Sequence, residues 1–205
     1  MDGIRVQLDK DRGTNDGTIR SGFATHEGMI NIEENRRSAK YTRGELLGRF
    51  LWACCTPLFR WSPRLCWGWR RFLLRLFGAK VGSHVHIHPS ARVFIPWNLE
   101  IGDWSSVGFD ALLYNLGPMK IGRRVTISQR AHLCGGTHRF REPSMPLVRA
   151  AITIGDEAWV CADAFIGPGV TVGARAVVGA RAVAMRSVHE GKIVTGNPAR
   201  EIGDR

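Results

Sequence analysis

The chain has 205 residues, 44% of them hydrophobic and 23% charged, enough for one sizeable core and at most a small accessory domain. The formal net charge of +11 points to an anionic partner, yet no zinc-finger spacing, RNP pattern or helix-turn-helix signal accompanies it, so nucleic acid is set aside. The five cysteines (Cys54, Cys55, Cys66, Cys134, Cys161) are odd in number and contain no CxxC, which excludes a disulfide framework and a structural zinc site and suits a reducing compartment.

Residues 1–43 are polar and rich in Gly, Asp, Asn and Thr, and are expected to form a flexible or loosely docked arm. They carry no apolar signal-peptide core, and no run in the chain approaches the ~20 apolar residues of a membrane span, so a cytoplasmic protein is expected. Residues 44–80 change character. Ser62-Pro63 reads as a helix start and Gly78 as a stop, with Leu65, Trp69, Phe72 and Leu76 at helical spacing and Arg64, Arg71 and Arg75 on another face. A second short helix is expected over 45–55, ended by Pro57.

From Val81 to 189 the period is six: VGSHVH, IHPSAR, VFIPWN, then IGDWSS and its successors. The first position is aliphatic, the second often Gly, the fifth small. Three such hexads make one triangular coil with a short strand per side and the first position inward. The coils start at Val81, Ile101, Ile121, Ile154 and Val172, giving an all-β core of about five coils. Residues 139–151 interrupt the third coil as an inserted loop directly after His138, and residues 190–205 form a tail containing NPAR.

The repeat, the stretches ISQRAHLCGGTHRF and AWVCADAFIGPGVTVGARAVVGARAV, and the terminal TGNPAR resemble the hexapeptide-repeat acyltransferases. The likeness is greatest to the colanic-acid-biosynthesis type of O-acetyltransferase, and more distant to the maltose, galactoside and nodulation-factor acetyltransferases. It implies a left-handed parallel β-helix, a homotrimer and acetyl-CoA as acyl donor, bound in a groove between subunits. It also implies a sugar acceptor in exopolysaccharide or related glycan synthesis. By the same likeness His138 is the general base. Trp159, Ala162, Ala180, Arg186 and Arg200 would hold the cofactor, and Asp110 and Asn115 would meet the acceptor. No metal is implied.

Rival readings of the same residues are kept. His84, His86 and His88 alternate and suit a metal, as in a hydratase of the γ-carbonic-anhydrase kind. Cys134 or Cys161 would serve an acyl-enzyme route. A bare repeat would serve as an assembly scaffold. The basic helical segment is expected to cap the first coil through Leu65, Trp69 and Phe72. Peripheral contact with the anionic inner face of the membrane is assigned to Trp52, Phe59 and Trp61 with Arg60 and Arg64.

Overall fold

The computed structural model describes residues 30–205. Three helices lead into a parallel β-solenoid: α1 (Ile32–Arg37), α2 (Arg43–Arg60) and α3 (Trp67–Leu76). The first coil is β1 (Lys80–Val81), β2 (His86–Ile87) and β3 (Arg92–Val93). The second is β4 (Leu99–Ile101), β5 (Ser106–Val107) and β6 (Leu112–Tyr114). The third is β7 (Met119–Ile121), β8 (Thr126–Ile127) and β9 (His132–Cys134). A hairpin, β10 (Gly136–His138) and β11 (Leu147–Arg149), then interrupts the stack. The fourth coil is β12 (Ile152–Ile154), β13 (Trp159–Val160) and β14 (Phe165–Ile166). The fifth is β15 (Thr171–Val172), β16 (Val177–Val178) and β17 (Val183–Ala184).

The three strands of each coil stack into three faces. Face one is β1-β4-β7-β12-β15, face two runs from β2 to β16, and face three is β3-β6-β9-β14-β17. The expected coil starts lie in one register: Val81, Ile101, Ile121, Ile154 and Val172 pair in turn. A sixth turn is begun by Val188, which bridges to Val172, and by β18 (Lys192–Thr195), which joins β16 on face two. The chain end, β19 (Arg200–Asp204), folds back antiparallel on β18. The tail expected at 190–205 thus extends face two through β18 and β19.

First hexad positions are buried, as at Ile87 and Val107, and so are the fifth positions, as at Ala111 and Ala176, apart from Trp97 and the exposed Thr137. Fully burying each larger aliphatic side chain contributes about 1.5–3 kcal/mol. The polar residue among the buried fifth positions, Ser105, donates to the Gly122 carbonyl and accepts from the Val125 N–H. Glycine at the second position answers to the spacing between coils. A Cβ on Gly102 would lie 2.7 Å from the Gly122 carbonyl carbon of the next coil. The sharp bend falls elsewhere, on left-handed residues at the fourth position such as His84, Asp110, Arg130 and Asp163.

The first coil leaves a row of carbonyls with no coil above, and the helices cover it. Arg70 donates to Ile87, Arg71 to Val85, and Arg75 to Val81 and Gly82. Trp52 donates its indole N–H to Val93. This inverts two expectations. The face of α3 that meets the solenoid carries arginines, with Arg70 fully buried, while Leu65, Trp69, Phe72 and Leu76 face outward. Trp52 and Phe59, expected at lipid, are core residues instead. Helix boundaries also shift. Pro57 lies within α2, which runs on to Arg60, and α3 starts after Cys66 rather than at Pro63. Of the polar arm, residues 1–29 lie outside the described residues. The remainder is docked on the inserted loop, where the Asn31 N–H donates to Pro143 and Asn35 donates to Ser144 and Met145.

Candidate active site

Register places the expected residues. The third coil runs out of face three at Cys134, and the hairpin leaves the corner between faces three and one, pairing His138 with Leu147. His138 is exposed at its end. Its Nδ1 lies 2.7 Å from the Met145 carbonyl oxygen. A carbonyl only accepts, so Nδ1 carries the proton and Nε2 presents a lone pair to solvent. Met145 sits at φ 43°, a left-handed conformation uncommon for its type, and this bend turns its carbonyl back toward the imidazole. No side chain marks this contact in the sequence, because the partner is backbone.

Asp110, Ala162 and Ala180 lie on a different corner, between faces two and three, in coils two, four and five. The N–H groups of Ala162 and Ala180 donate to no acceptor among the described residues, whereas the Ala162 carbonyl accepts the Arg181 N–H and the neighbouring amides follow the regular ladder. Beside them Arg130 grips Asp163 through two hydrogen bonds of 2.7 and 2.8 Å, and this guanidinium holds the Asp163 carboxyl below the usual carboxylate range. The Asp110 N–H donates to Ser90 Oγ, and its carboxylate makes no hydrogen bond or ion pair among the described residues. Trp159 projects from face two, its indole N–H on Ser128 Oγ. Arg186 and Arg200 come together at the C-terminal end of the stack, lining one cavity of about 440 Å³.

Asn115 does not belong with these residues. It is fully buried. Its Oδ1 accepts the N–H groups of Phe94 and Ile95, its Nδ2 donates to the Ile95 carbonyl, and full burial keeps the remaining Nδ2 hydrogen from any sugar. It fastens the corner at which the first coil passes into the second.

The rival groups are engaged in packing. His84 stacks on Trp104, His86 on Trp67, and His88 bonds Ser90. No cluster of three His, Cys, Asp or Glu with metal-binding geometry occurs among the described residues. Burial pushes the Cys161 thiol up, which suppresses the thiolate a nucleophile requires, and the Cys134 thiol points at the Gly136 carbonyl. His132 lies half-buried edge-on against Phe165. One feature had no sequence signal: a groove of about 530 Å³ between α3 and face two, floored by Trp67, His86 and Phe109 and close to Asp110 in the chain.

No family model matches the chain. WcaF of Escherichia coli (strain K12), an acetyltransferase assigned to colanic acid biosynthesis, is 43% identical over 154 residues, 75% of this chain and 85% of the relative. Among solved structures, a maltose O-acetyltransferase from Clostridium difficile 630 superposes with a TM-score of 0.74 at 21% identity, covering 86% of this chain and 98% of the other. A galactoside acetyltransferase in complex with coenzyme A gives 0.74 at 22% identity, covering 85% and 91%.

Proposed function

Because the chain belongs to the hexapeptide-repeat acetyltransferases, we propose that it transfers the acetyl group of acetyl-coenzyme A to a sugar hydroxyl, in a direct reaction with His138 as general base. The observation that carries this is the Nδ1–H bond to Met145, which leaves Nε2 as the only ring atom able to take a proton. Nε2 removes the hydroxyl proton as the sugar oxygen attacks the thioester carbonyl. The tetrahedral intermediate collapses, the C–S bond breaks, and the coenzyme A thiolate leaves with the proton returned by the imidazolium. A carboxylate at Asp110, free of other partners, would orient the acceptor hydroxyl. The neighbouring aromatic groove suits a sugar face.

The donor fits the residues present. Ala162 and Ala180 combine minimal bulk with unpaired amides, which suits an extended pantetheine arm, and Trp159 offers an apolar wall near them. Arg186 and Arg200 supply two guanidiniums to one cavity, chemistry matched to phosphate. The five cysteines are unpaired, which supports a reaction in the reducing cytoplasm.

His138 lies on one corner of the prism and the Ala162–Ala180 edge on another, with face three between them. A complete site therefore needs the hairpin of one subunit beside the amide edge of a neighbour, and we assign the active form to a homotrimer on this ground. Thiol release from acetyl-CoA across a panel of sugars, nucleotide sugars and lipid-linked sugars tests the activity. Light scattering tests the assembly: a fully active monomer would remove the shared site.

A further inference from the structure

The outer surface of the helical cap is apolar and has no partner. Helix α2 covers the solenoid with only a narrow stripe, Trp52 and Phe59. On its opposite side Leu47, Phe50 and Leu58 are exposed, and Trp61, at its C-cap, is 86% exposed. The surface continues onto α3, because the Trp69 indole N–H donates to the Leu58 carbonyl and Trp69 stacks on Phe72. A helix apolar on all sides is ordinarily enclosed; this one is enclosed on one side only. No helix among the described residues is long and apolar enough to cross a membrane.

Charge selects the occupant. From 46 to 79 the chain holds six arginines and no Asp or Glu. Arg70, Arg71 and Arg75 serve the first-coil carbonyls, and Arg49 lies over Tyr41. The other two, Arg60 and Arg64, and Arg43 just before this stretch are exposed, with no acidic partner among the described residues. A second copy docked cap to cap would set these cations against their own images. A lipid surface bearing anionic headgroups would neutralise them while taking up the apolar side chains, and exposed tryptophans suit the boundary between the two media. We propose that the α2–α3 cap is a peripheral docking surface for an anionic membrane, with Phe50, Trp61 and Phe72 entering the headgroup–acyl boundary and Arg43, Arg60 and Arg64 at the headgroups. The arginines on the inner side of α3 make this possible: polar caps for the strand edge leave the apolar stripe free for lipid.

Flotation of the full chain with phosphatidylcholine vesicles, with and without phosphatidylglycerol, tests the proposal at low salt. The wild type should float with the anionic vesicles and weaken with added salt. Phe50→Ser combined with Trp61→Ser should abolish flotation while leaving the melting temperature unchanged, since both side chains are exposed. Arg43→Gln combined with Arg60→Gln should weaken binding to anionic vesicles roughly twenty-five-fold, as each arginine near such a surface contributes about fivefold. Absence of flotation at low salt would overturn the proposal. So would equal binding by wild type and the Phe50/Trp61 variant. Light scattering that shows the same variant splitting a larger assembly would also overturn it, by assigning the face to a second copy.

Discussion

Glu45, in the first turn of α2, and Arg149, on strand β11 of the inserted hairpin, form an ion pair at 2.6 Å. Arg149 also lies over the Tyr41 ring and donates to the Lys40 carbonyl, so one guanidinium ties the helical cap to the hairpin that presents His138. The Arg149 hydrogen bond, aided by the Thr42 N–H, holds the Glu45 carboxyl below its ordinary value. A depressed folded-state pKa contributes stability that is complete above the unfolded value, about 4.3, and is lost as pH falls through the folded one. Hairpin docking should therefore be insensitive to pH from neutrality down to about 5 and loosen only in stronger acid. Glu45→Gln should loosen it near neutrality to the level the wild type reaches only in strong acid. Amide exchange at residues 136–149 reads both, and a wild-type hairpin that loosened between pH 7 and 6 would contradict the assignment.

His138→Ala should lower turnover about a hundredfold or more, with little change in acetyl-CoA affinity. His138→Asn should fail nearly as badly, because an amide cannot accept the proton. Cys134→Ala and Cys161→Ala should keep most activity, and no acetylated enzyme should appear by mass spectrometry. Near-normal turnover in a folded His138→Ala protein would sink the base assignment.

Arg200→Ala should raise the KM for acetyl-CoA by about ten- to a hundredfold, corresponding to the roughly 1.5–3 kcal/mol of a charge-assisted contact, with kcat less affected. Arg186→Ala, in the same cavity, should act in the same direction. Steady-state kinetics with acetyl-CoA varied would separate this from a catalytic role; loss of kcat at constant KM is the contrary result.

Asn115→Ala should behave as a stability variant. It strands the buried Ile95 N–H and removes a second partner from the Phe94 N–H, which keeps the Leu113 carbonyl, and from the Ile95 carbonyl, which keeps the Asn98 N–H, at a cost of about 1–3 kcal/mol. Denaturant unfolding measures this. A variant of unchanged stability with a raised acceptor KM would return Asn115 to the acceptor site.

The solenoid was legible because its signal is one-dimensional. Val81, Ile101, Ile121, Ile154 and Val172 meet through a period that needs no knowledge of the rest of the molecule. The face of α3 was not legible. Leu65, Trp69, Phe72 and Leu76 have the spacing of a core stripe, but the surface they would cover is a row of unpaired carbonyls, and guanidiniums satisfy those where leucines cannot. His138 stood out by its place before the break in the repeat. Its partner did not, since a backbone carbonyl has no residue type. Asn115 misled because a motif position says nothing of which way an amide faces.

Ile121 and Ile154 pair as directly as Ile101 and Ile121 do, although 33 residues rather than 20 separate them. The corner between faces three and one therefore tolerates a length change without passing strain to either neighbouring coil. Closing a longer excursion there costs only a logarithmic increment, about 0.6 kcal/mol per doubling of its length. The length of this one excursion can thus change while the register of the stack beneath stays as it is. A grafting experiment that replaced residues 139–144 with a foreign segment, keeping Met145 beneath His138, would start from a stack whose register the exchange leaves in place.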